Sequence, residues 1–309
     1  MSDTPKLRLE DAEAWAEGMR IEGWPAGEAI IRALIDLYRE GVALLGGRPQ
    51  DVLEAKVLLL RAAALSEERF LAGPERPCPA AAEARYRRFL GRRLEGVPLA
   101  YLTGSREFWS IPFTVTPSVL VPRPETEVLV EKVLELSSRE SETIVDVGTG
   151  SGCIAVALAK ELPRARIEAV DVSERALRVA AANAARHKVR TVTFRRSNLL
   201  SAFRGTGAKF DFIVSNPPYI ARGEWDGLPA EVRDWEPRRA LLAGESGLEL
   251  IERLVRRAGT FLRPGGYLIF EIGEDQRDRV LGLFGRRWTE IETAWDLAGK
   301  PRVITARRA

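Results

Sequence analysis

Ile144-Val145-Asp146-Val147-Gly148-Thr149-Gly150-Ser151-Gly152 carries an apolar run directly into a loop with a glycine at every second position. Ile154 to Leu162 follows as a helix that Pro163 ends, and Ile167 to Asp171 is the next short apolar run. This order of strand, glycine turn, helix and strand is the repeating unit of a parallel sheet. The alternation continues outward. Glu174 to His187 is an Ala-rich helix, and Val192 to Arg195 and Phe210 to Ser215 are strands. Leu248 to Leu262 is a helix closed by Pro264-Gly265-Gly266, and Tyr267 to Ile272 is a strand. Weaker strands fall at Thr289 to Thr293 and Val303 to Ala306. The pattern predicts an α/β domain over 126–309 with a largely parallel, doubly wound sheet.

The loop itself narrows the ligand. Glycines are needed where backbone turns tightly or a ligand approaches the main chain closely. The spacing is GxGxG, not the GxGxxG of a dinucleotide site, and no GK[ST] follows as in a phosphate loop. Asp146, just before the loop, would repel a pyrophosphate but attract a cationic ligand, directly or through water. Asp171 ends the next strand, where a carboxylate can accept both ribose hydroxyls. A nucleoside without phosphates and with a positive tail satisfies both carboxylates, and S-adenosylmethionine is such a molecule. A turn that serves only helix–strand packing is the plainer reading of the glycines. An NAD-type site is the other competitor.

Asn216-Pro217-Pro218-Tyr219 follows the strand Phe210 to Ser215. Ligands in open α/β sheets bind beyond the carboxyl ends of strands, so this segment stands where chemistry is expected. Two prolines fix the backbone and remove two N–H donors. A planar amide or amino nitrogen is a poor nucleophile. Accepting its two N–H bonds, with the Asn216 side-chain oxygen and the Pro217 carbonyl, returns electron density to nitrogen and stabilises the positive charge that develops on alkylation. Tyr219 offers a ring face for a flat group to stack on. Asn and Pro are also ordinary turn formers. His187, the only histidine, reads as structural or solvent-facing.

Upstream the texture changes. Ala29-Ile30-Ile31, Leu34-Ile35, Leu37-Tyr38, Val42 and Leu44-Leu45 recur at helical spacing until Gly46-Gly47 stops them, with Pro49 following as a non-helical residue. Asp51 to Ala64 and the Arg-rich Ala80 to Leu94 are further helices, so residues 1–96 read as a small helical bundle. Residues 97–125, punctuated by Pro98, Pro112, Pro117, Pro122 and Pro124, read as a linker of short strands or extended segments. The Arg85, Arg87, Arg88, Arg92, Arg93 run is either a solvated helix face or a partner contact.

Composition excludes several classes. Lys and Arg number 47 against 44 Asp and Glu, too even for a dedicated duplex-DNA binder. Cys78 and Cys153 form no CxxC pair, which argues against structural zinc and fits a reducing cytoplasm. No metal site is expected. Met1 to Glu13 is charged and unlike a signal peptide, and no uncharged apolar run nears the roughly 18–20 residues that span a bilayer. A soluble, intracellular, cytoplasmic protein is expected.

Several segments together resemble the peptide chain release factor type of protein-(glutamine-N5) methyltransferase, the PrmC/HemK family. They are Gly96 to Gly104, Arg106-Glu107-Phe108-Trp109, Val121-Pro122-Arg123-Pro124-Glu125-Thr126-Glu127, Glu236-Pro237, Pro264-Gly265-Gly266, Glu271-Ile272-Gly273 and Gln276, with the glycine loop and Asn216 to Tyr219. The likeness covers about residues 45 to 305. It implies a class I S-adenosylmethionine-dependent methyltransferase, a Rossmann-like seven-stranded sheet, behind a helical domain that recognises the partner. The implied target is the glutamine of the Gly-Gly-Gln tip of bacterial class I release factors. Carried over by position, Gly148, Thr149, Gly150, Ser151, Gly152 and Asp171 bind the cofactor, and Asn216, Pro217, Pro218 and Tyr219 hold the glutamine. Phe108 and Arg123 to Thr126, including Glu125, wall the pocket. Where the family has an acidic residue near the adenine amine, this chain has Ser197-Asn198-Leu199. The Asn198 carbonyl can still accept from that amine. Residues 1–40 look longer than the family norm. Glutamine methylation of a ribosomal protein, adenine-N6 methylation with base flipping, and a non-catalytic binding module are the alternatives.

Overall fold

A computed structural model describes residues 32–138 and 141–309. The chain falls into two units, Met1–Thr103 and Gly104–Ala309. In the first, helices run over Leu34–Leu45, Pro49–Ala63, Glu67–Leu71, Ala80–Leu94 and Leu99–Thr103. Leu37, Leu58, Leu59, Tyr86 and Leu90 pack into one buried cluster. Gly46 stops the first helix in a left-handed conformation, φ 115°. Pro49 opens the second helix rather than separating the two, because proline lacks only an N–H that the first turn leaves unpaired anyway. Ala29-Ile30-Ile31 lie outside the described residues. The arginine run divides: Arg85 donates to the Ala62 carbonyl at 2.9 and 2.8 Å and Arg93 to Glu54 at 2.6 Å, while Arg88 and Arg92 are exposed.

The segment 97–125 does not behave as extended chain throughout. Leu99–Thr103 is a short helix of the first unit. The second unit opens with the hairpin of β1 (Ser105–Phe108) and β2 (Ile111–Thr114), turned through Trp109 and Ser110, both at φ 54°. That pair of positive φ values is what a two-residue hairpin turn requires.

The remaining strands are β3 (Thr143–Val147), β4 (Arg166–Asp171), β5 (Val192–Arg196), β6 (Phe210–Ser215), β7 (Ile220–Ala221), β8 (Leu242–Gly244), β9 (Leu262–Glu271), β10 (Trp288–Trp295) and β11 (Pro301–Arg308). Seven of them form one sheet in the order β10-β11-β9-β6-β3-β4-β5. From β5 to β9 neighbours are parallel, and β11 and β10 add antiparallel pairs at one edge. Alternate residues feed two cores. Ile144 and Phe212 face the cluster that holds Leu129, Val133, Ile154 and Leu158. Val145 and Ile213 face the cluster with Ile251, Leu254 and Val255. Helices therefore cover both faces, as buried parallel strands require. Pro264-Gly265-Gly266 lie inside β9, at a register irregularity opposite Phe210 and Phe212, so the strand begins earlier than its apolar run.

After β3 the chain moves to β4 and β5 on one side, then crosses to β6 on the other. The loops leaving β3 and β6 diverge there and open a crevice at the carboxyl ends of the strands. Among the described residues no helix is long and apolar enough to cross a membrane.

Candidate active site

The glycine loop leaves β3 with Gly148 at φ 79° and Gly150 at φ 55°. These values favour glycine and keep side chains away from the loop's open face. Gly148 and Thr149 donate their N–H groups to the Val170 carbonyl at 2.8 and 3.0 Å, which holds the loop over β4. Asp171, at the end of β4, accepts from the Gly150 N–H at 3.0 Å and from the Ser173 N–H at 2.8 Å. Each oxygen keeps a further lone pair for a ligand hydroxyl. Burial raises the Asp171 pKa, and the backbone donors work against that. Ser215, at the end of β6, donates to the Val147 carbonyl at 2.7 Å and ties the two strand ends together.

Above these ends lies a cavity of about 1010 Å³. Gly148, Thr149, Gly150, Ser151, Asp171, Asn198 and Leu199 line it on one side, and Asn216, Pro217, Pro218, Arg123 and Thr126 on the other. Pockets of roughly 300–1,000 Å³ accommodate cofactor-sized ligands, so there is room for a nucleoside beside a second group. A carboxylate at the end of β4, a loop without side chains on its open face and a half-apolar cavity suit an uncharged nucleoside. They therefore fit S-adenosylmethionine, with Gly148 to Ser151, Asp171 and Leu199 as the residues to hold it.

Five of the expected residues stand elsewhere. Asp146 is wholly buried and does not reach the cavity; burial pushes its carboxyl up to about 7, and the Thr149 side chain offsets only part of that. It therefore cannot meet a cationic ligand directly. Gly152, at φ 81°, serves packing: a Cβ there would lie 3.0 Å from the Ala180 Cβ. Phe108 is in the core, edge-on to Phe113 at 6.2 Å, because the hairpin directs it inward. Glu125 is exposed and off the cavity. The Tyr219 ring packs against the core below the cavity rather than offering a free face, and its hydroxyl donates to Glu271 at 3.3 Å. Two others line the cavity with their polar groups already engaged. Asn198 accepts from Arg253 at 2.9 Å through its carbonyl oxygen, and Arg123 pairs with buried Glu236 at 2.5 Å. His187 contacts the Pro112 carbonyl at 2.8 Å, outside the cavity.

The structure adds residues with no assigned role in the motif reading. Asn216 donates its Nδ2 to the Thr126 hydroxyl at 3.0 Å, and that hydroxyl donates to Glu271 at 2.5 Å. Gln276 donates to the Tyr219 carbonyl at 2.8 Å and accepts from the Gly273 N–H at 3.1 Å, clamping the loop. Glu236 also accepts from the Val121 N–H at 3.2 Å. Asn183, fully buried, accepts from the Thr114 N–H at 2.8 Å and donates to the Thr114 and Ser151 carbonyls, both at 2.9 Å. It joins the hairpin to the glycine loop. For Glu271 and Gln276 the sequence signal was a polar residue ending or following an apolar strand; Asn183 gave none beyond its place in an Ala-rich helix.

Residues 36–104 match the family described as PrmC N-terminal domain, and residues 124–228 match the Methyltransferase small domain. A protein of Koribacter versatilis is 45% identical over 261 residues, 84% of this chain and 92% of that one. One of Moorella thermoacetica is 46% identical over 267 residues, 85% and 93% of the two chains. One of Geobacter sulfurreducens is 40% identical over 279 residues, 90% and 96%. All three are named release factor glutamine methyltransferase. Two solved structures share the fold. The hMettl16 catalytic domain in complex with the MAT2A 3'UTR hairpin 6 superposes with a TM-score of 0.53 at 17% identity, covering 68% of this chain and 80% of that one. A 16S rRNA methyltransferase of T. thermophilus, in complex with AdoMet and guanosine, gives 0.50 at 19%, covering 66% and 50%.

Proposed function

The chain belongs to the release factor glutamine methyltransferase family, and from that premise we propose that Asn216 and Pro217 hold the side-chain amide of a glutamine for methylation. The enzyme transfers a methyl group from S-adenosylmethionine to a release factor glutamine. The alternatives of a ribosomal-protein glutamine, a nucleic-acid adenine or a non-catalytic module give way to the relatives' shared name. Its finer target, on this reading, is the glutamine of the Gly-Gly-Gln tip of bacterial class I factors. The first unit recognises the partner, residues 97–125 link the two functions, and the enzyme works in the cytoplasm, where termination occurs.

One observation carries the assignment of roles. Asn216 and Pro217, at the end of β6, line the same cavity as the glycine loop and Asp171. The glycine loop and Asp171 take the cofactor's nucleoside. When bound, S-adenosylmethionine supplies an electrophilic methyl group on a sulfonium that leaves as a neutral thioether. The Asn216 Oδ1 and the Pro217 carbonyl accept the two N–H bonds of the substrate amide, which keeps its lone pair available on nitrogen. The same oxygens stabilise the cationic nitrogen until it gives up a proton to solvent. Pro217 and Pro218 fix the carbonyl before the substrate arrives, so little ordering is left for the reaction step. Tyr219 acts beneath the cavity, through Glu271, and not as a stacking surface.

The test is transfer from labelled S-adenosylmethionine to a purified class I release factor and to a variant with the target Gln replaced. Label in the first and none in the second is the expected outcome. Label in a ribosomal protein or in DNA instead overturns the assignment.

A further inference from the structure

We propose that Thr126 and Glu271 are positioning residues that set which end of the Asn216 amide faces the substrate. The inference rests on the reading of Asn216 given above. It starts from one property of a hydroxyl, which has a single proton to donate. Thr126 gives that proton to the Glu271 Oε2 at 2.5 Å. Toward Asn216 it then presents only lone pairs, and the Asn216 Nδ2 donates to it at 3.0 Å. An amide is planar, so fixing the NH2 end at Thr126 leaves Oδ1 as the end turned elsewhere. Without this direction Asn216 would offer an NH2 or an oxygen to the substrate almost indifferently, and an NH2 would meet the substrate's own N–H bonds.

The arrangement is protected. Thr126 is 2% and Glu271 1% exposed, so water does not compete for either group. Glu271 also accepts from the Tyr219 hydroxyl at 3.3 Å, so one carboxylate holds the first and last residues of Asn216-Pro217-Pro218-Tyr219. Accepting from two hydroxyls at once calls for the ionised form. Once protonated, Glu271 becomes a donor to Thr126. The Thr126 proton must then find another acceptor, and the Asn216 oxygen supplies one once the amide turns over. The charged and titratable groups around Glu271 oppose one another. Arg302 of β11, itself paired with Asp296 at 3.0 Å, favours ionisation. Burial, the largest influence, and Glu125 favour the neutral form. Tyr219, whose own pKa is raised first by burial, stays a donor through the neutral range. Glu271 consequently titrates near 7.

Separate kcat and KM values across pH 5.5 to 8.5, with S-adenosylmethionine and purified release factor, test the proposal on the full chain. The wild type should lose kcat on the acid side. Thr126→Val should lower kcat by about tenfold or more, the equivalent of one net hydrogen bond, with KM for S-adenosylmethionine little changed. Thr126→Ser, which restores the hydroxyl, should recover both the rate and the acid limb. Glu271→Gln cannot take up a proton and should lose the acid limb. Calorimetric binding of S-adenosylhomocysteine reports whether each variant is folded. If Thr126→Val does not fold, Thr126→Ser and Glu271→Gln still decide: an acid limb unchanged in Glu271→Gln overturns the proposal. Wild-type turnover by Thr126→Val while Asn216→Ala is inactive overturns it too and leaves the reading of Asn216 standing. Full activity in Asn216→Ala refutes that reading instead.

Discussion

Replacing Asn183 with Ala removes three hydrogen bonds with one side chain, and each has a known geometry. The Thr114 N–H, the Thr114 carbonyl and the Ser151 carbonyl all lose their partner. A buried polar group left unpaired costs about 1–3 kcal/mol. Thr114 is half-buried and can regain water, which puts its two groups at the low end; the Ser151 residue is 3% exposed and its carbonyl belongs near the middle. Together the loss should come to about 4 kcal/mol. Ser151 belongs to the glycine loop, so affinity for S-adenosylhomocysteine should fall as well. Urea titration of the full chain measures the first effect and calorimetry the second. Asn183→Asp keeps the acceptor for the Thr114 N–H but sets a carboxylate against two carbonyls, so at neutral pH it should be at least as damaging as Ala. A loss below about 1 kcal/mol in Asn183→Ala, on the scale of an exposed substitution, would show that this clamp is not what holds hairpin and loop.

Asp146 keeps its proton to about pH 7 when folded but only to about pH 4 when unfolded. The folded state binds the extra proton in that window, so this group makes stability fall as pH rises from about 4 to 7 and level off above. Asp146→Asn should therefore flatten stability against pH over that range and be most stabilising, relative to the wild type, above pH 7; urea midpoints at several pH values check it. Gly152→Ala sets a Cβ 3.0 Å from the Ala180 Cβ at a backbone φ of 81° and should cost more than about 1 kcal/mol, because both the contact and the left-handed conformation oppose it; thermal unfolding reads this directly. Asp171→Ala should raise the Kd for S-adenosylhomocysteine by about tenfold or more, the loss of a carboxylate acceptor for hydroxyls, with a smaller effect on KM for the release factor; equal affinities by calorimetry would remove Asp171 from the cofactor site.

The parts of the fold legible in sequence are those with sharp chemical borders. Phe210 to Ser215 is read to both ends because Lys209 and Asn216 bracket an apolar run, and Ala80 to Leu94 because Pro79 precedes it and Gly96 follows. Leu99–Thr103 is too short for a helical period to show, and proline on both sides of the region points to extended chain. In β9 the Pro264-Gly265-Gly266 turn signal is genuine, but the sheet absorbs it as an irregular register instead of ending there. The site divides in the same way. Glycine loop and Asn-Pro-Pro-Tyr are contiguous and carry their own conformational rules, so their place at strand ends follows from the pattern. Thr126 and Glu271 lie 145 residues apart, and Thr114 and Asn183 lie 69 apart. Nothing local announces such a pair; only the sheet order brings the partners together.

Phe108, Glu125 and Tyr219 show why a motif's neighbours are harder to place than the motif. Phe108 and Glu125 were expected at the cavity from the family resemblance and Tyr219 as the last residue of its motif, and each is turned away by an alternation the sequence leaves open at hairpins and turns. What takes their place is polar and buried: Glu271, Glu236, Asn183 and Gln276 each accept or donate to backbone or hydroxyl groups beside the cavity and are almost wholly inaccessible. Burying such groups is unfavourable unless their hydrogen bonds are met, and apolar side chains of similar size would pack the same space at lower cost. Placing them beside the cavity, next to cores made largely of Leu, Ile, Val and Phe, gives up stability where orientation matters. On the reading proposed for Asn216 and Pro217, a methyl transfer held by two fixed oxygens gains most from that rigidity, since misdirecting one amide is enough to turn an acceptor into a donor.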